Sequence, residues 1–203
     1  MTLSKADAFD RIATPYDRFM APLEKLWLGQ MRARLAPHIR GQVLEIGVGT
    51  GAGLPFYPPT LCLTAVDESA EMLANTARRA TALACCVYLG QASVEQLPFP
   101  SGSFDTAIAS LVLCSVRDLE QALSELWRVL VPGGQLLLLE HMRPSHRPLA
   151  WMADLVNAPW VAFNGRCHLN RETQQATLHA GFQIDQVEAK MGGLLRLIVA
   201  HTP

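Results

Sequence analysis

Hydrophobic and polar positions follow two different periods along this chain. Short apolar runs fall at Gln42 to Ile46, Leu61 to Val66, Cys85 to Leu89, Phe104 to Leu111, Gln135 to Glu140, Phe182 to Val187 and Leu194 to Ala200. Runs this short predict strands, and Gln135 to Glu140, almost without polar residues, reads as a central parallel one. Between them the spacing turns helical. Ser69 caps a predicted helix through Ala80, with Glu71 near its start and Arg78-Arg79 near its end, where each charge suits the helix dipole. Asp118 caps a second, Leu119 to Leu130, whose Leu119, Ala122, Leu123, Leu126, Val129 and Leu130 recur on one face. Pro132-Gly133-Gly134 stops that helix, and a third runs from Arg171 to Ala180. Strands alternating with helices predict an α/β protein with a doubly wound sheet. No internal repeat or low-complexity segment interrupts the pattern.

One connection carries the chemistry. The first strand runs into Gly47-Val48-Gly49-Thr50-Gly51-Ala52-Gly53, and Pro55, Pro58 and Pro59 cut short the helix expected to follow. Glycine at every second position lets the backbone approach a ligand closely. A strand, a glycine loop and a helix together describe a nucleotide-type site at the strand's C-terminal end. Asp67 ends the second strand twenty residues beyond Gly47, where a ribose-binding acid is expected. The glycine pattern fits NAD and S-adenosylmethionine (SAM) equally well. Glu45, an acid inside the strand, favours SAM, because a carboxylate beneath the loop suits a ligand carrying a sulfonium and an ammonium. As a plain structural residue, Glu45 would bond loop amides, since a buried carboxylate needs partners.

Composition narrows the class. At 203 residues the chain is read as one domain, 50% hydrophobic and 17% charged, with a net charge of −1. No basic block is present to grip phosphates, which argues against a nucleic-acid partner. Five cysteines without paired spacing read as reduced, mostly buried thiols, not as a disulfide framework or a zinc site. Cys167-His168 has no second pair at ligand spacing, so no metal is expected. No stretch has the length of a signal core or a membrane span, and the expected location is the cytoplasm.

Four motifs in order carry a resemblance: Glu45-x-Gly47-x-Gly49-x-Gly51; Val66-Asp67-Glu68-Ser69-x-x-Met72-Leu73; Leu97-Pro98-Phe99-Pro100-x-Gly102-Ser103-Phe104-Asp105; and Arg128-Val129-Leu130-x-Pro132-Gly133-Gly134. Over residues 41 to 140 they resemble the class I SAM-dependent methyltransferases typified by ubiquinone-biosynthesis C-methyltransferases. Leu111-Val112-Leu113-Cys114-Ser115-Val116, Glu140-His141 and Asn164-Gly165-Arg166-Cys167-x-Leu169-x-Arg171-Glu172-Thr173 resemble the methyltransferase-like branch that includes alkyl-thiol S-methyltransferases. The resemblance implies a Rossmann-like, seven-stranded, mostly parallel sheet with an antiparallel last strand. It also implies a division into an N-terminal helical lid (1–40), a SAM-binding core (41–140), a substrate-side insertion (141–171) and a closing helix and strands (172–203).

Roles follow from the resemblance residue by residue. SAM, leaving as S-adenosylhomocysteine, would meet Gly47, Gly49 and Gly51 with Glu45 at its amino-acid end. Asp67 would take the ribose hydroxyls, Glu68 and Ser69 would run along the adenosine, and Gln91-Ala92 would stand where the family usually has Asp-Ala at the adenine. Met72 packs on the adenine or on the core; both readings stand. Leu111 would offer its carbonyl to the ammonium, and Tyr16 belongs to a Tyr-Asp pair in the lid. His141 is the best-placed candidate base or substrate contact, ahead of Glu140, His168 and Tyr16, although a histidine capping a strand is more often structural.

Acceptor choice is expected from the flanks. Phe9, Ile12, Tyr16, Phe19, Leu23 and Leu26 recur at helical spacing and would form the lid. Leu149 to Phe163, with Asp154 its one charge, reads as an apolar acceptor pocket, a cover over the sheet or a peripheral membrane contact. The expected reaction is methyl transfer to a small apolar acceptor, a thiol by resemblance. The alternatives are a phosphatidylethanolamine amine, a quinone precursor, and a non-catalytic SAM-binding sensor.

Overall fold

The computed structural model describes residues 21–164 and 167–203, with backbone alone for 163 and 164. The lid residues Phe9 to Phe19, Tyr16 among them, and Gly165-Arg166 lie outside the described residues.

Seven strands form one sheet in the order β3-β2-β1-β4-β5-β7-β6. They are β1 (Val43–Ile46), β2 (Cys62–Asp67), β3 (Cys86–Gln91), β4 (Phe104–Ser110), β5 (Leu130–His141), β6 (Gln183–Lys190) and β7 (Leu195–His201). The first five are mutually parallel, and β7 runs antiparallel to both β5 and β6. This is the doubly wound sheet with an antiparallel last strand that the sequence implied. The strand order reverses between β1 and β4, and an open α/β sheet splits at such a point to admit ligands at the strands' C-terminal ends.

Among the described residues, five α-helices accompany the sheet: α1 (Gly29–Leu35), α2 (Ala70–Leu83), α3 (Leu119–Val129), α4 (Arg147–Asn164) and α5 (Thr173–His179). Because successive strand side chains point to opposite faces, the all-leucine stretch of β5 serves two cores. Leu136 and Leu138 meet Leu123, Leu126 and Val129 of α3 on one side. Leu137 and Leu139 share the other side with Leu28, Met31 and Leu35, at the end of a π-helical turn (Glu24–Leu28) and along α1. Ser69 and Asp118 cap α2 and α3 as their positions predicted, their side chains accepting from the amides of Met72 and Gln121.

Three expectations are corrected. The segment after the glycine loop makes a single 3-10 turn, Leu54–Phe56, because Pro55 leaves no room for a longer helix before Pro58. The helix α3 ends at Val129, and β5 runs through Pro132-Gly133-Gly134 with a register shift opposite Phe104 and Thr106. The third correction concerns the thiols. Cys62 and Cys86 are register partners at the start of β2 and β3, with Cα atoms 4.7 Å apart, and they are joined by a disulfide. Spacing along the chain could not show this, since the pairing depends on two parallel strands aligning after a helical crossover.

Candidate functional site

The glycine loop is held open by its own backbone and by two neighbours. Gly47, Gly49 and Gly51 all take positive φ (57°, 59° and 74°). At Gly47 a Cβ would also meet the Val112 side chain at 2.5 Å, so glycine is required there twice over. Asp67 ties the loop to the end of β2: its Oδ2 accepts from the Gly49 amide and its Oδ1 from the Ser69 amide, both at 2.9 Å. The Thr76 hydroxyl donates to the Gly49 carbonyl from below, at 2.6 Å. The result is a cavity at the β1/β4 split, walled by Glu45, Gly47 to Thr50, Ala52, Asp67, Glu68, Met72, Ala92, Val94, Ser110 to Val112, Ser115 and Arg32.

Glu45 forms the floor and is 2% exposed. The Tyr57 hydroxyl hydrogen-bonds to it, and Arg32 attracts it from α1. Its Oε2 is buried with no hydrogen-bond partner among the described residues. Burial raises the Glu45 carboxyl to about pKa 7 despite Arg32 and Tyr57. Burial likewise pushes the Tyr57 phenol well up, so it stays a donor. Arg32, 7% exposed, is fixed by an ion pair with Glu24 at 3.1 Å and by donating to Ser110 Oγ at 2.6 Å.

A second polar cluster lies beside this cavity, where β4 and β5 end. Glu140 is fully buried; its Oε1 accepts from the amides of Val112 (2.7 Å) and Leu113 (2.8 Å), and its Oε2 from Cys114 at 3.4 Å. Burial lifts the Glu140 carboxyl to about 7 against those bonds. From the other side, the His168 amide donates to the Cys114 carbonyl at 2.9 Å, and the Arg171 guanidinium donates to the carbonyls of Leu113 and Val116. Leu111 enters this loop at φ +60°, a costly conformation for a leucine.

Gripped in this way, three distant residues meet. His141 Nε2 lies 2.6 Å from Cys167 Sγ, which lies 3.9 Å from Cys114 Sγ. The Cys167 thiol is drawn down to about 4 by the Cys114 thiol and by His141, while Cys114 is pushed well up by Cys167 and by burial. The sequence offered Cys167-His168 as neighbours and judged a metal site improbable. In space Cys167 meets His141, and His168 turns instead toward Asn157. Over this edge runs α4, whose Ala150 and Ala153 are buried while Trp151 (65%) and Leu155 (63%) stand exposed. The apolar segment of the sequence is therefore a helix with much of its hydrophobic surface outward.

Comparison with known proteins places this geometry. The family model for the methyltransferase domain matches residues 44–138. A thiol S-methyltransferase of Homo sapiens is 30% identical over 177 residues, 85% of this chain and 72% of that protein. The chain belongs to the class I SAM-dependent methyltransferases. A phosphatidylethanolamine N-methyltransferase of Cereibacter sphaeroides is 36% identical over 124 residues, 59% of this chain; the match spans 61% of that protein, less than two thirds of its length. A SAM-dependent methyltransferase structure from Thermotoga maritima shares the fold, with a TM-score of 0.76, 24% identity, and 97% and 99% of the two chains covered.

The cavity of this methyltransferase fits SAM on its own terms. A buried, unpartnered carboxylate oxygen on Glu45 suits an ammonium, Arg32 suits a carboxylate, and the Gly47–Gly49 backbone leaves room where side chains would fill it. Of the residues expected to contact the cofactor, Glu45, Gly47, Gly49, Asp67, Glu68, Met72, Ala92 and Leu111 line the cavity. Gly51 does not; it packs on Leu54 and Thr76. Gln91 also stands outside the wall, its amide donating to the Glu68 carbonyl at 2.8 Å. Arg32 was missed. Its signal was present in the sequence, because it sits on the same helical stripe as Leu28, Met31 and Leu35, and a charge on an apolar stripe needs a reason.

Proposed function

We propose that this methyltransferase moves the methyl group of SAM to the sulfur of a small apolar thiol. The observation carrying the proposal is the juxtaposition of the Glu45–Asp67 cavity with a Cys114–His141–Cys167 cluster at the same edge of the sheet. SAM supplies an electrophilic methyl on a sulfonium, so the chain's work is to bind, align and exclude water. Glu45 and Arg32 would hold the amino-acid end, and Asp67 the ribose. Backbone at Leu111, positioned by Glu140, would form the boundary between the donor and acceptor sides. A thiol acceptor reacts as its thiolate, and the polar cluster beside the cavity supplies the environment that favours one. The likeness to a thiol S-methyltransferase over most of the chain supports this acceptor.

Release of S-adenosylhomocysteine, measured with alkyl thiols, amines and phenols, tests the reading. Saturable turnover is expected with the thiols alone. Turnover confined to amines or phenols would replace the acceptor, and SAM binding without any turnover would point to a sensor. One second reading has its own observation: the exposed Trp151, Met152, Leu155 and Trp160 of α4 suit a lipid surface, as an enzyme methylating a lipid amine would need. Phosphatidylethanolamine vesicles in the same assay distinguish the two.

A further inference from the structure

The acceptor-edge cluster has a composition that hydrogen bonding alone does not explain. Cys114, His141 and Cys167 come from three separate segments: the loop after β4, the end of β5, and the stretch after α4. Their ligand atoms all lie within 4.8 Å of one another. The approach is built in, because the His168 amide on the Cys114 carbonyl fixes Cys167 opposite Cys114, and Glu140 holds Cys114 from beneath. The other ring nitrogen of His141, Nδ1, is buried with no partner among the described residues. Among the described residues the half-buried imidazole thus has the sulfur of Cys167 as the polar contact of its ring nitrogens.

Two thiols and one imidazole are the donor set of a soft divalent cation, and three protein ligands are the number that leaves a coordination position open. The geometry agrees in part. Zinc–sulfur bonds of about 2.3 Å in a tetrahedron put two sulfurs about 3.8 Å apart, beside the 3.9 Å observed here. The nitrogen–sulfur edge of the same tetrahedron is about 3.5 Å, so the imidazole must move outward by about 1 Å from its 2.6 Å contact to admit an ion.

We propose that Cys114, His141 and Cys167 form a three-ligand site for zinc, with the fourth position open to the sulfur of the methyl acceptor. This rests on the thiol reading above and supplies its activation step. An acceptor thiol binding the cation loses its proton to solvent and remains as a metal-held thiolate. Its lone pair then forms the new bond to the methyl carbon. The bond from that carbon to the sulfonium sulfur breaks, its electron pair stays on that sulfur, and the products are a thioether and S-adenosylhomocysteine. The thioether is a poorer zinc ligand than the thiolate, so product leaves. Ser115, next to Cys114, lines the donor cavity, which places the cation at the boundary between the two substrates.

Metal analysis and cobalt spectroscopy test this without relying on turnover. The full chain purified without chelator is expected to carry about one zinc per molecule, and after cobalt(II) replacement to show the thiolate-to-metal charge transfer of a tetrahedral site. Cys167→Ser and His141→Gln are expected to lose most of that absorption while SAM still binds by calorimetry. Should either variant fail to bind SAM, the spectrum of the unaltered chain decides alone. Adding an alkyl thiol to the cobalt protein is expected to intensify the charge transfer as a third sulfur joins. A chain that takes up no stoichiometric metal and gives no charge transfer overturns the site, and a cobalt spectrum unmoved by thiol overturns the open position. The two readings fail separately. Metal-free protein that methylates thiols removes the zinc and keeps the function, whereas zinc-loaded protein inert to thiols does the reverse.

Discussion

Glu45 is buried where an ion is costly, so its ionisation is coupled to any cation that enters beside it. With its pKa raised to about 7, the carboxyl holds a proton in the ligand-free protein at mildly acid pH. A bound ammonium draws that proton off. SAM affinity is therefore expected to climb as pH rises toward about 7 and to level off above it, with proton release seen by calorimetry in buffers of different ionisation enthalpy. In Glu45→Gln the profile should be flat, and binding above pH 7 weaker by roughly 1.5–3 kcal/mol, about tenfold to a hundredfold. The sign for folding is the opposite. A carboxyl whose folded pKa is raised from 4.5 to about 7 binds its proton more tightly when folded, so its contribution is full below 4.5 and is lost as pH rises to about 7. That loss is roughly 3 kcal/mol, and urea denaturation of the ligand-free protein beside Glu45→Gln across this window measures it. At this scale the acids were legible because their positions, inside β1 and at the end of β2, are sequence-local. Arg32 was legible only as a charge on an apolar stripe, while its place in the cavity wall and the Cys114–Cys167 contact depend on segments brought together by packing.

Among the elements, α3 and α4 look alike in sequence and behave differently. Both are rich in apolar residues, yet the α3 face of Ala122, Leu123, Leu126 and Val129 is sealed against β5, while α4 buries little besides Ala150 and Ala153. Leu126→Ala is expected to cost about 2–5 kcal/mol through the cavity it leaves. Leu155→Gln and Trp151→Gln should change stability by no more than about 0.5 kcal/mol. Thermal melts of the three variants side by side check the contrast. If the exposed helix serves a lipid acceptor, the same two substitutions will lower turnover on vesicles without moving the melting temperature. The strands were legible to within a few residues because period and length suffice for buried parallel strands. The start of β5 was not, because Pro132-Gly133-Gly134 reads locally as a break while the ladder bridges it by pairing Leu130 with Phe104.

For the molecule as a whole, the strand number and the antiparallel last strand followed from alternation and family likeness, whereas covalent closure did not. The Cys62–Cys86 disulfide joins the two strands at one end of the sheet across a separation of 24 residues. Titration under denaturing, non-reducing conditions is expected to find three thiols of the five cysteines. Reducing the bond should cost roughly 3 kcal/mol by releasing that loop, read as a lower melting temperature with reductant and no further effect of reductant on Cys62→Ser.

The loop from Leu111 to Val116 is gripped from both sides, its amides by Glu140 and its carbonyls by His168 and Arg171. Under the function proposed above, one short stretch therefore carries Leu111 beside the donor and Cys114 beside the acceptor, and the two cannot move independently. For anyone retuning this enzyme, that rigid yoke divides the chain into permitted and forbidden ground. Edits between Leu111 and Val116 will disturb donor affinity and acceptor preference together. Grafts of α4 and the stretch leading to Cys167 offer a way to exchange one acceptor for another while leaving the cofactor's seat untouched.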